Sequence, residues 1–191
     1  LSQRNIALAE VNNRMEMQNL QAQINPHFIY NTLNSIKWMA TIQHAPGIAE
    51  MVTALSRLLK SVSKSNERLV PLYEEFALLN DYFTIQQYRY GGTITLDVSY
   101  IEDEKLNHSC LIPRFTLQPL VENAIIHGVA DLEEGYIKLW AEADGGDLLL
   151  RVSDNGRGIA PEVLARLEQH QDIPGGHLGL TNVDHIIRLY Y

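Results

Sequence analysis

The chain has 191 residues, 46% hydrophobic and 20% charged, enough apolar mass for one ordinary domain or two small ones with a buried core. A formal net charge of −8 argues against a nucleic-acid or anionic-membrane binder, because phosphate backbones and acidic lipids are held by surplus Lys and Arg. Cys110 is the single cysteine; it excludes an internal disulfide and suits a reducing cytoplasm. No apolar run is long enough to cross a bilayer. The first residue, Leu1, already sits in a helical pattern and is not a methionine, so a fragment of a longer protein is expected.

From about Asn5 to Gln43, Gln, Asn, Met and Leu dominate, and Pro26 is nearly the only helix breaker. Met17, Leu20 and Ile24 recur at three-four spacing, and Ile29, Leu33, Ile36 and Ala40 continue an apolar line after the proline. His44-Ala45-Pro46-Gly47 is a short break of the kind that joins antiparallel helices. Ile48, Val52, Leu55, Leu59 and Val62 then form a second stripe ending near Lys60 and Lys64, cations that suit a helix C-terminus. Residues 1–66 thus read as a helical hairpin. One hairpin cannot cover both of its own stripes, so a homodimeric four-helix bundle is expected.

From residue 67 to 191 the pattern changes. Pro71 opens a helix with Glu74 and Glu75 in its first turn, where carboxylates suit the dipole. Phe76, Leu79 and Phe83 point inward, and Gly91-Gly92 ends the helix. Thr93 to Tyr100 alternates as a strand. A helix is predicted from Phe115 to Gly128. Tyr136–Ala143 and Leu148–Ser153 flank Asp144-Gly145-Gly146-Asp147 as a β-hairpin. Helical stretches near Pro161–Gln169 and Leu180–Leu189 close the chain. The second half is therefore α+β, with three strands and helices covering one face of a mixed sheet.

Three runs in this half converge on nucleotide chemistry. In Leu120-Val121-Glu122-Asn123-Ala124-Ile125-Ile126-His127-Gly128, Asn123 and His127 are four apart and share a helix face. An amide oxygen suits Mg²⁺, which takes few protein ligands, and His127 can donate to a phosphate. In Asp154-Asn155-Gly156-Arg157-Gly158-Ile159, a carboxylate at a strand end can accept from an exocyclic amine, while glycines allow close backbone approach. Taken alone, Asp-Asn-Gly is most often a simple turn. Gly175-Gly176-His177-Leu178-Gly179-Leu180 leads into the last helix, whose N-terminal N–H groups suit phosphate. A lone glycine loop is weak evidence; the order of the three carries the inference.

The runs LVENAIIHG, DNGRGI and GGHLGLTN resemble the N, G1 and G2 boxes of the ATP-binding domain shared by histidine kinases, Hsp90, type II topoisomerase ATPase subunits and mismatch-repair ATPases (GHKL, or Bergerat, fold). LQAQINPHFIYNTLNSI and VPLYEEFALLNDYFTIQQYRY resemble the phosphoacceptor region, and the segment after it, of sensor histidine kinases of the LytS/YehU and YesM type. The resemblance covers nearly the whole chain. It implies that His27 accepts the γ-phosphoryl group of ATP and passes it to an aspartate on a response regulator. It further implies Asn123 as the Mg²⁺ ligand, His127 near the phosphates and Asp154 on the adenine amino group, with Gly156 and Gly158 shaping the pocket. Gly176, Gly179 and Leu180 would form the phosphate contact and hinge of a lid running from roughly Ala160 to Pro174. A membrane-anchored sensor region upstream of Leu1 is implied as well, at the cytoplasmic face of the bacterial plasma membrane.

A neutral imidazole nitrogen is a good nucleophile, and phosphoryl transfer needs in-line positioning and charge neutralisation above all. Pro26 removes a helical hydrogen bond beside His27 and is expected to kink the helix. Many histidine kinases place an acid after the phosphoacceptor; here Phe28 follows, and Asn31, one turn on, is the candidate to orient the ring, to position water for dephosphorylation, or to set bundle register. His177 stands where a stricter glycine pattern has Gly, and the chain stops at Tyr190-Tyr191 before further strands that the resembling domain carries. Two alternatives are a GHKL-type ATPase and a nucleotide-binding dimerisation scaffold. The ATPases carry a water-activating glutamate one turn before the Mg²⁺-binding Asn. Here that position is Pro119, and the adjacent Glu122 points about a quarter-turn away.

Overall fold

The computed structural model describes residues 26–63, 68–169 and 178–191. Met17, Leu20, Ile24, Lys64, Gly175, Gly176 and His177 lie outside the described residues, as do the residues before Pro26 on which the expected kink depends. By contacts the chain divides into two compact units, with the break between Ser56 and Arg57.

Two helices come first, α1 (Pro26–Ile42) and α2 (Pro46–Ser63). A three-residue turn joins them, with His44 in the left-handed region at φ 54°. On α1 the hydroxyls of Thr32, Ser35 and Thr41 donate to carbonyls four residues back, so they do not compete with the helical ladder for donors. Leu33, Ala40, Val52 and Ala54 are buried. Phe28, Trp38, Met39 and Ile42 on α1, and Ile48, Leu55 and Val62 on α2, are exposed. Of the apolar line expected on α2, Val52 is buried, while Ile48, Leu55 and Val62 are left uncovered within the chain.

The second unit is α+β. Strand β1 (Leu69–Pro71) runs into α3 (Leu72–Arg89), for which Pro71 is the extended residue before the first turn. Strand β2 (Ile94–Ser99), a short helix α4 (Glu104–Ser109) and strand β3 (Leu111–Pro113) follow. Asp103 caps α4 by accepting from the Lys105 N–H at 2.9 Å. Helix α5 (Leu117–Asn123) continues as a π-helical segment, Ala124–Val129. The hairpin β4 (Gly135–Asp144) and β5 (Asp147–Asp154) turns on Gly145 and Gly146, both at positive φ. Helices α6 (Pro161–Glu168) and α7 (Leu178–Tyr190) complete the chain.

β2, β4 and β5 form a mixed sheet in that order, β2 parallel to β4 and β4 antiparallel to β5. The parallel pair needs a long crossover, and that crossover contains α4, β3 and α5. β1 and β3 make a separate antiparallel ribbon, Val70 opposite Ile112, so the described residues hold five strands and not the three predicted. Each added strand has three residues and a proline, too short for alternation to show. One core joins α3 (Leu72, Phe76, Leu79, Phe83), α5 and its π continuation (Leu117, Val121, Ile125, Val129) and the inward face of the sheet (Ile94, Ile137, Leu139, Ala141).

The largest departure from expectation concerns Glu75. It is 2% exposed and does not serve the dipole of its own helix. Its Oε1 accepts from the Phe115 N–H at 2.7 Å, and its Oε2 from Thr116 and Leu117 at 3.0 and 3.3 Å. The carboxylate therefore satisfies the unpaired donors at the start of α5 from across the core. Phe115 itself is left-handed, φ 63°. The expected helix from Phe115 to Gly128 accordingly starts two residues later and changes register after Asn123.

Candidate functional site

The π segment sets the geometry. Its extra residue per turn is marked by the Ala130 N–H, which bonds to the Ile125 carbonyl five residues back at 2.9 Å. This register brings Gly128 against the end of β5. A Cβ added at Gly128 would lie 2.7 Å from Asp154 Oδ1, and one added at Gly156 would collide with the Gly128 backbone. Gly128 is thus required by its approach to the Asp154 carboxylate, and Gly156 by its contact with the Gly128 backbone. Gly158 differs: it has φ 73° with open space around it, so its requirement is conformational.

Four further bonds hold this corner. Asp154 Oδ1 accepts from the Gly156 N–H at 2.8 Å. Arg157 Nε donates to the His127 carbonyl at 2.8 Å. Asn155 grips the start of β4, its Oδ1 accepting from the Tyr136 N–H at 2.7 Å and its Nδ2 donating to the Glu134 carbonyl at 3.1 Å. Asn155 therefore ties the end of β5 to the chain entering β4.

A cavity of about 400 Å³ opens here, lined by Asn123, His127, Gly128, Asp154, Arg157 and Gly158, with Ile159, Ala160, Pro161 and Val163 on the side of α6. Four of the expected site residues, Asn123, His127, Asp154 and Gly158, meet in it. Gly156 sits behind the wall, against Gly128. Gly179 and Leu180 are not among the lining residues. A Cβ at Gly179 would lie 3.3 Å from that of Pro119, so the first turn of α7 packs on α5. Gly176 and most of the expected lid after α6 lie outside the described residues. Arg157, Gly128 and the α6 residues were missed as site residues, although Arg157 stands inside the same DNGRGI run. Glu122 does not line the cavity. Its charge acts instead on Tyr82 of α3, whose hydroxyl is pushed up to about 12, first by burial and then by Glu122.

In the first unit His27 is exposed, and Asn31 Nδ2 donates to its Nδ1 at 3.2 Å across one helical turn. No helix among the described residues is long and apolar enough to cross a membrane.

The second unit is thus a mixed sheet packed on helices, with a glycine-walled cavity where the π segment meets the end of β5. Residues 112–191 match the family model of histidine kinase-, DNA gyrase B-, and HSP90-like ATPases, and residues 15–94 match that of histidine kinases. The chain is 36% identical over 187 residues to the sensor histidine kinase YpdA of Escherichia coli, covering 96% of this chain and 32% of that protein. It is 34% identical over 194 residues to the sensor histidine kinase YesM of Bacillus subtilis, covering 100% and 32%. With the sensor protein LytS of Bacillus subtilis the identity is 32% over 154 residues, covering 80% and 25%. The chain belongs to the histidine kinase family. It spans about a third of the length of the first two of these relatives.

Proposed function

We propose that the chain is the kinase core of a two-component sensor: it binds ATP in the cavity, phosphorylates His27 and passes the phosphoryl group to an aspartate of a response regulator receiver domain. The observation that carries this reading is the meeting of Asn123, His127, Asp154 and Gly158 in one cavity of a chain whose other half presents an exposed histidine. The volume lies in the range of about 300–1,000 Å³ usual for small-molecule sites. Asp154, already fixed by the Gly156 N–H, would accept from the adenine amino group, while Gly128, without a side chain, leaves its stretch of wall open to a flat ring. Asn123 would hold Mg²⁺, which neutralises charge on the transferring phosphate. Among the described residues no cluster of three or more His, Cys, Asp or Glu could bind a metal; a single amide with phosphate and water oxygens is a usual Mg²⁺ set.

At the acceptor, Asn31 engages Nδ1 of His27. Turning the amide over presents its oxygen to an Nδ1–H and places the ring's lone pair on Nε2, the nitrogen that would attack. Asn31 would thus act by orienting the ring. The domain division expected from the sequence, with the acceptor hairpin at 1–66 and the ATP-binding domain at 67–191, belongs to this reading. So does a homodimeric bundle, supported by the exposed apolar residues of α1 and α2. Placement at the cytoplasmic face of the membrane through an upstream region is part of it as well.

Incubation of the kinase with γ-labelled ATP and Mg²⁺ should yield an acid-labile, base-stable phosphoprotein. His27→Gln should carry no label; label retained in that variant would remove His27 as acceptor.

A further inference from the structure

The last two turns of α2 lie on the second side of the break between compact units and are bonded to two elements of that unit. Arg57 Nη1 lies 3.1 Å from Asp81 Oδ1 of α3. Arg114 Nη1 donates to Ser61 Oγ at 2.7 Å and to the Ser61 carbonyl at 3.4 Å, while its Nη2 lies 3.6 Å from Glu74 Oε2. The Arg114 side chain is only 10% exposed, and its Nε is buried without an acceptor among the described residues. Burying a guanidinium with a donor unmet is unfavourable, so packing alone does not account for an arginine here. The next residue is the left-handed Phe115, and the N–H groups from Phe115 to Leu117 are held by Glu75. The turn that starts α5 is therefore gripped twice: its backbone by Glu75 of α3, and its side chain by Glu74 and by Ser61 of α2.

We propose that Arg114 is a positioning residue that ties the start of α5, and with it the nucleotide cavity, to the end of α2, the helix that continues the phosphoacceptor hairpin. The inference rests on the kinase reading above. The cavity walls are held by contacts that do not involve Arg114: Gly128 against Gly156, and Arg157 on the His127 carbonyl. Loosening Arg114 therefore leaves the nucleotide's seat intact and affects the in-line approach that transfer requires.

The test compares Mg-ATP affinity with the rate of His27 labelling at saturating ATP in the full chain. For Arg114→Met the affinity should stay within about threefold while the rate falls at least about tenfold, since a misplacement of reacting groups by about 1 Å can cost on the order of 100-fold. Ser61→Ala should shift the rate in the same direction by less. The double variant should be no slower than Arg114→Met, because both changes remove one link. Arg114→Lys, which can still reach Ser61 Oγ with one donor, should recover part of the rate. Affinity and rate falling in parallel, or a rate unchanged in both single variants, overturns the proposal. If Arg114→Met does not fold, an unchanged rate in Ser61→Ala overturns it alone. Wild-type protein that binds ATP but never labels His27 overturns the kinase reading itself, and that arm is read before any variant.

Discussion

Glu75 shows at the residue scale how a local rule gives way to a distant contact. In sequence it is a first-turn carboxylate; in the fold it is a buried acceptor for three N–H groups some forty positions away. Burial pushes its carboxyl above the ordinary 4.5, against the pull of those bonds and of Arg114. The folded state therefore binds the proton more tightly than the unfolded chain, so this group's contribution to stability falls as pH rises from 4.5 through the raised value. Urea melts over that range should show the stability of the wild type, relative to Glu75→Gln, declining as pH rises; a flat difference would contradict the desolvation. Glu75→Ala leaves the donors of α5 unmet and should cost on the order of 3 kcal/mol. The two site glycines separate by mechanism. Gly156→Ala must displace the Gly128 backbone, and calorimetric titration should find ATP binding weaker by at least about tenfold, or about 1.4 kcal/mol. Gly158→Ala meets no atom and should lose less, about 1 kcal/mol of left-handed strain.

The π segment carries the site at the element scale. An uninterrupted α-helix from Leu117 would rotate Gly128 away from Asp154 and Gly156. Deleting the exposed Ile126 removes the extra residue and should restore α register. Circular dichroism should then report retained helix while fluorescent-nucleotide binding disappears. Full binding by the deletion variant would show that the register is not what shapes the cavity. The β1–β3 ribbon belongs to this scale too: by placing Leu111–Pro113 beside Leu69–Pro71, it delivers Arg114 and Phe115 to Glu74 and Glu75.

At the scale of the whole molecule, the apolar residues that the chain leaves uncovered matter most. On α1 the buried line through Leu33 and Ala40 and the exposed set Phe28, Met39 and Ile42 fall roughly a third of a turn apart; on α2, Ile48, Leu55 and Val62 repeat every seven residues and are exposed. Such a second stripe fits a partner helix, and the proposed homodimer supplies one. Leu55→Glu should shift light scattering from dimer to monomer while ATP binding persists, because the cavity lies entirely in residues after 122. A dimer retained in that variant would place the interface elsewhere.

The sequence by itself determined the helices of α1, α2 and α3, strand β2, the glycine-turned hairpin, and which runs hold Asn123, His127, Asp154 and Gly158. Each of these is written locally, in periodicity or in a short motif, and survives whatever surrounds it. Only the tertiary structure decided the π register after Asn123, the burial of Glu75, the β1–β3 ribbon and the seat of Arg114 on Ser61. These depend on partners tens of residues away, and the free energy of meeting such a partner outweighs the local preference that a sequence displays.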